Sequence, residues 1–163
     1  MPLLSISRII TRLAEQAPDR PAVSFQGNTI TREELDAHTN RLARAYQQLG
    51  VNENDLVTLG LPNGIEFIEA AIAIWKLGAI PQPVSYRLPP KELRDIVTLA
   101  TPPIVIGFTP GMLPAQIVVP SGFTPDQALS DGILPDKTSK HSHACTSGGS
   151  TGKPKLMQMR CTM

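Results

Sequence analysis

Between Asp55 and Gly107 the chain alternates short apolar runs with helix-patterned stretches, and that order restricts the fold more than any other feature. Asp55 to Leu61, with its core Leu-Val-Thr-Leu-Gly-Leu, reads as a buried strand, and Pro62-Asn63-Gly64 turns it into a helix predicted from Ile65 to Leu77. Gly78 ends that helix. Ala79 to Val84 is apolar again, but Pro81 and Pro83 cannot donate ladder hydrogen bonds, so this strand is expected to be irregular or to keep one side free. Pro90 opens a further helix with Leu93, Ile96, Val97 and Ala100 on one face, Pro102-Pro103 closes it, and Ile104 to Gly107 is the next strand. Strands joined through helices return to the same end of a sheet and lie parallel. The expected class is α/β, a partial doubly wound, mostly parallel sheet with crossover helices.

The flanks fit a single α/β body. Ile9, Ile10, Leu13 and Ala17 follow helical spacing over Ser7 to Gln16, until Pro18-Asp-Arg-Pro21 stops the pattern. Ala22 to Phe25 and Thr29-Ile30 flank Gln26-Gly27-Asn28, a hairpin signal in which Gly27 or Asn28 takes positive φ. Thr31 followed by Glu34 has the form of a capping box, and Leu35, Leu42, Ala45, Tyr46 and Leu49 then line one helical face up to Gly50. Beyond Phe108, Pro110, Pro114, Pro120, Pro125 and Pro135 punctuate a loop-rich stretch whose one clear strand is Gln116 to Val119.

A formal net charge of +1 gives no electrostatic footprint for nucleic acid or an anionic membrane, which leaves small-molecule chemistry. Ile65 to Ile80, the most apolar segment, is broken by Glu66, Glu69 and Lys76 and is too short to span a bilayer. With no basic, then apolar, leader at Met1 to Arg8, a cytoplasmic location is expected. Cys145 and Cys161 form no CxxC pair and read as free thiols.

His143 to Lys155 gathers glycines, hydroxyls and cations into one short span. Glycines let several backbone N–H groups turn toward one anion, hydroxyls add donors and lysine adds a point charge, an arrangement suited to a polyphosphate. The ATPase loop of the Walker type does not fit: counting back from Gly152 places Ser147 where glycine is needed, and Pro154 follows Lys153 in place of Ser or Thr. Ser-Gly-Gly-Ser is also what a solvated tether looks like, and the residues by themselves leave both readings open. Lys153 and Lys155 on either side of Pro154 favour the anion.

Thr146-Ser-Gly-Gly-Ser-Thr-Gly-Lys-Pro-Lys155 resembles the phosphate loop of the adenylate-forming superfamily, which includes acyl-CoA synthetases, peptide-synthetase adenylation domains and luciferases. Ile30-Thr31-Arg-Glu-Glu-Leu35, Asn40-Arg-Leu-Ala-Arg44, Leu49-Gly-Val51, Leu61-Pro-Asn-Gly-Ile-Glu-Phe67 and Trp75-Lys-Leu-Gly-Ala79 are similar, in order, to the landmarks that precede that loop. Pro81 to Pro89 and the loop end Lys155-Leu156 resemble the branch of bile-acid CoA ligases and similar bacterial acid–CoA ligases. The loop carries one residue more than the common Ser-Gly-Thr-Thr-Gly form, and Leu156 stands where glycine is usual.

The resemblance implies that Thr146, Ser147, Ser150, Thr151 and Lys155, with the backbones of Gly148, Gly149 and Gly152, hold the β- and γ-phosphates of ATP. Lys153 falls at a variable position. A carboxylate would attack the α-phosphate to give an acyl-adenylate and pyrophosphate, Mg²⁺ and lysine would neutralise the charge, and CoA would then take the acyl group as a thioester. The implied partners are a carboxylic acid, ATP and CoA. No catalytic residue is assigned, because the family's ribose pocket, Mg²⁺-binding acid and acyl-transfer lysine follow this loop. On this reading residues 1–108 are the N-terminal α/β portion of an AMP-binding domain, 109–144 a connection, and 145–163 the phosphate loop and a tail.

Met157 to Met163 does not read as the strand and helix expected next, which points to a truncated, frameshifted or pseudogene product. The chain by itself is therefore expected to be inactive and, with apolar faces uncovered, poorly soluble. The competing reading is a non-catalytic remnant or interaction module with the same fold. His141, His143 and Cys145 would face one side of an extended strand, but no fourth metal ligand is near, and a surface loop preceding the phosphate segment is the preferred reading. Tyr86-Arg87 receives no role, and Tyr46, Trp75 and His38 read as packing residues.

Overall fold

The computed structural model describes residues 5–148 and 154–160. Helix α1 (Ile6–Gln16) starts where the Ser5 hydroxyl accepts the Arg8 N–H, which satisfies one of the donors a helix start leaves open. Strands β1 (Pro21–Phe25) and β2 (Asn28–Thr31) pair antiparallel. The turn uses positive φ at Gln26 and Gly27, so Gln26 and not Asn28 is the second strained position, and Asn28 already belongs to β2. Helix α2 (Arg32–Gln48) opens with the expected capping box: Glu34 N–H donates to Thr31 Oγ1, and Thr31 N–H donates back to the Glu34 carboxylate at 2.7 Å.

The main sheet contains β3 (Leu56–Leu59), β4 (Ile80–Pro83), β5 (Ile104–Ile106) and β6 (Ile117–Val119), in the order β4-β3-β5-β6 with every pair parallel. Helix α3 (Ile65–Lys76) links β3 to β4, and α4 (Pro90–Ala100) links β4 to β5. The prolines explain the place of β4. Ile80 and Val84 donate their N–H groups to Asp55 and Leu59 on the β3 side, so the intervening Pro81 and Pro83 turn their donor-less nitrogens away from the ladder, which suits an edge strand.

Alternation along the strands sends Val57, Leu59, Ile104, Ile106 and Val119 to the side covered by α2 and α3, where they meet Leu42, Tyr46, Ile74 and Leu77. Val105 points the other way, against Leu93 and Val97 of α4. Helices therefore cover both faces, as the doubly wound class requires. Each fully buried Leu or Ile contributes roughly 1.5–3 kcal/mol, so these faces are what hold the body together.

The stretch after Phe108 does more than connect. It supplies β6, and its later part is tied to the helices: Ser121 Oγ and Gly122 N–H donate to the Glu66 carboxylate, Phe123 stacks on Tyr46 with centroids 6.5 Å apart, and Arg44 donates to Gly132 O at 2.9 Å. Strands β7 (His141–Gly148) and β8 (Pro154–Arg160) form an antiparallel pair. The sequence reading gave the tail no strand, yet residues 154–160 take one, because pairing with β7 satisfies their backbone whatever their side-chain pattern. Among the described residues no helix is long and apolar enough to cross a membrane.

Candidate functional site

In an open parallel sheet, ligands gather outside the C-terminal ends of the strands where the strand order reverses, here between β3 and β5. That position is filled by the chain itself. Gly107 has φ 90°, and a Cβ on it would lie 2.5 Å from Gly60 O; a Cβ on Gly60 would lie 2.2 Å from the Phe108 ring. Two glycines thus let the strand ends close and Phe108 cover them.

The open space lies one strand over, beyond the C-terminal ends of β3 and β4. A cleft of about 700 Å³ is lined by Leu61, Asn63, Phe67, Val84 and Tyr86, and Thr146 of β7 completes it. Two contacts bring β7 there. The Trp75 indole N–H of α3 donates to Ser142 O at 2.7 Å, and Gln82 Nε2 of β4 donates to Thr146 Oγ1 at 3.0 Å. Gln82 Oε1 in turn accepts from Thr58 Oγ1 at 2.8 Å, and both Thr58 and Gln82 are fully buried.

The β7–β8 register sets Thr146 opposite Leu156, Ser147 opposite Lys155 and Gly148 opposite Pro154. The two ends of the glycine segment therefore meet at one end of the hairpin. Thr146 lies on the face toward Gln82 with its register partner Leu156, and successive strand residues alternate faces, so the neighbouring Lys155, which is exposed, lies on the opposite face. The structure brings Thr146 to the cleft and leaves Lys155 on the other side of the hairpin. Gly149, Ser150, Thr151 and Gly152 lie outside the described residues.

The remaining sequence candidates separate cleanly. His141 and His143 stand on either side of a register irregularity in β7, and among the described residues no group of three or more His, Cys, Asp or Glu is placed to hold a metal ion. Tyr86 lines the cleft, with the Arg87 guanidinium 5.1 Å from its ring centroid. Tyr46 packs in the core, where burial, then Glu66 and Glu69, push its hydroxyl pKa up.

Sequence reasoning passed over Thr58 and Gln82. The available signal was their polarity inside apolar strands: alternation placed both in the interior, where a polar side chain needs a partner. It also passed over Lys76, which is 2% exposed. Its ammonium donates to Asp36 O, Asp36 Oδ1 and Asn40 Oδ1, at 3.2, 2.6 and 2.6 Å. Burial pulls the Lys76 pKa down while the Asp36 hydrogen bond and charge push it back up. These partners sit among the helices, away from the cleft.

Residues 10–161 match the family described as AMP-binding enzyme. Malpinin synthetase of Mortierella alpina is 29% identical over 93% of this chain and 2% of its own length. The 3-oxocholest-4-en-26-oate–CoA ligase of Rhodococcus rhodochrous is 27% identical over 96% of this chain and 33% of its own length. The Klebsiella oxytoca NpsA N-terminal subdomain, solved in complex with 3-hydroxybenzoyl-AMSN, superposes with a TM-score of 0.80 at 26% identity, covering 97% of this chain and 41% of that one. The chain thus spans a third or less of these two curated relatives.

Proposed function

This chain belongs to the AMP-binding enzyme family, and from that premise we propose that it forms the phosphate-holding N-terminal part of an acid–CoA ligase. The parent reaction joins a carboxylic acid to AMP with release of pyrophosphate and then passes the acyl group to CoA. One observation supports the reading above all: the first hydroxyl of the glycine segment, Thr146, is hydrogen-bonded to the sheet at the edge of an open cleft, where a tether would have no reason to be anchored. The CoA ligase of Rhodococcus rhodochrous is in keeping with the acid–CoA branch, and Malpinin synthetase beside it keeps the carrier-loading branch as the alternative.

The proposed roles follow from the side chains. Thr146 donates its hydroxyl proton to a phosphate oxygen, and Ser147, Ser150 and Thr151 add hydroxyls. The backbone N–H groups of Gly148, Gly149 and Gly152 line the same anion. Lys155 supplies the positive charge, which from its exposed position requires the hairpin to fold over a bound nucleotide. Among the described residues no group of three or more His, Cys, Asp or Glu is placed to hold Mg²⁺, so on this reading it would arrive with the nucleotide and be held by the acid that follows the glycine segment in the family. Residues 1–108 are the α/β portion of the domain on this reading, 109–144 its connection, and the location is cytoplasmic.

Alone, the chain is expected to bind ATP through its phosphates without turnover. ATP–pyrophosphate exchange on the purified chain tests this, and measurable exchange with any acid would refute it. On the protein of the full reading frame, exchange with aliphatic, aromatic and steroid acids should be followed by thioester formation when CoA is added. Exchange with no thioester would assign the protein to carrier loading, and no exchange at all would favour a non-catalytic module.

A further inference from the structure

Gln82 is 0% exposed and sits between two prolines on an edge strand, where an aliphatic side chain would pack without any polar group to satisfy. Its carboxamide lies between two hydroxyls, with the oxygen toward Thr58 and the nitrogen toward Thr146. Thr58, itself 0% exposed, gives its hydroxyl proton to Gln82 Oε1 at 2.8 Å, which turns the amide nitrogen outward to Thr146 Oγ1 at 3.0 Å. Thr146 Oγ1 therefore accepts a hydrogen bond from Gln82, and among the described residues its own O–H meets no acceptor. Thr146 lines the cleft.

We propose that Gln82 is a positioning residue: through Thr146 it holds a hydroxyl as a donor aimed at a polyphosphate oxygen in the cleft. The relay runs in one direction, Thr58 to Gln82 to Thr146 to the anion, with each group donating to the next. A hydroxyl that already accepts a hydrogen bond is a better donor, and one with a fixed lone pair loses less freedom on binding. The inference rests on the polyphosphate reading of the glycine segment given above. It adds a residue outside that segment, on a strand that precedes it by more than sixty positions.

The test is isothermal titration calorimetry of the full chain with inorganic tripolyphosphate, with AMP as the control that lacks a polyphosphate. Thr146→Val and Gln82→Met should each weaken tripolyphosphate binding about tenfold, the worth of one hydrogen bond to a charged acceptor. Thr146→Ser should bind as the parent chain does. The double variant Gln82→Met/Thr146→Val should be no weaker than Thr146→Val, because Gln82 acts only through that hydroxyl. Thr58→Val gives a second route should Gln82→Met not fold: it frees the carboxamide to flip and should weaken binding in the same direction by a smaller factor. Undiminished affinity in folded Gln82→Met or Thr58→Val, or additive losses in the double variant, overturns the positioning role alone. A parent chain that binds no tripolyphosphate overturns both this role and the phosphate reading beneath it.

Discussion

The two sides of the four-stranded sheet use their buried polar groups in opposite ways. Among the helices on one side, the Lys76 ammonium spends its donors on Asp36 and Asn40, Thr11 Oγ1 donates to the same Asp36 carboxylate at 2.9 Å, and Asn40 Nδ2 donates on to Asp131 O at 2.7 Å. The network joins α1, α2, α3 and the later loop into one layer, and although Thr11, Asp36 and Asp131 also border a cleft of about 470 Å³, each donor and acceptor named is met by a group of the body itself. On the α4 side, the run from Thr58 through Gln82 ends on Thr146 at a cleft. A network that closes on itself holds elements together, whereas one that stops at open space orients a group for a ligand. Buried polarity alone therefore does not mark a site; where the network ends does.

The largest effect expected from breaking this contrast is on the closed side. Lys76→Met removes the cation and leaves the Asp36 carboxylate buried without its partner, which should cost about 3–5 kcal/mol in urea denaturation. Tripolyphosphate affinity of the folded fraction should not change. A loss under about 1 kcal/mol would mean that water reaches Asp36 and the network is not closed. Next in size is Gly107→Ala, at the seam that both sides share. Alanine there must hold φ near 90° and place a Cβ 2.5 Å from Gly60 O, a backbone atom that cannot rotate aside. Strain and overpacking together should cost about 3 kcal/mol, read as a lower urea midpoint at unchanged slope.

The contrast also explains what the sequence disclosed. Periodicity and punctuation placed the parallel strands and their helices, since Pro90, Gly78, Thr31 and Glu34 act on the backbone within a turn of their own position. The prolines of β4 imply an irregular strand or one with a free side, because the missing N–H is a local fact, and the edge position is the second of these. The partners of Lys76, Glu66 and Gln82 lie 24 to 64 residues away, so nothing near them in the chain shows which group they meet. The same holds for the strand at residues 154–160, whose pairing with β7 supplies what its own pattern lacks. At the candidate site, composition pointed to the glycine segment and the family resemblance to Thr146, but the anchoring of Thr146 and the opposite facing of Lys155 depend on register, which only pairing fixes.

A third polar group tests the contrast most finely, because it is neither sealed nor open to the cleft. Glu69 of α3 has its carboxyl pushed up to about 7, first by burial and then by the Glu66 charge, while His38 of α2, its Nε2 3.8 Å from Glu69 Oε2, is lowered by burial and then by Arg41. The signs are opposite. Between the ordinary 4.5 and about 7 the native chain keeps a Glu69 proton that the unfolded chain has released, so this contribution is full at low pH and is lost as pH rises through that window. For His38 the unfolded chain binds the proton below the ordinary 6.5 while the native chain resists it, so that contribution grows as pH rises toward 6.5. In the parent chain the two partly cancel, and both are screened by solvent, so the net slope should be smaller than either effect above. Melting temperature against pH separates them. Relative to the parent, Glu69→Gln should rise more steeply with pH up to about 6.5, and His38→Gln should fall more steeply from about 4.5 to about 7. Parallel curves for all three proteins would show that neither group feels the helical layer, and the sealed side would then shrink to the Lys76 network alone.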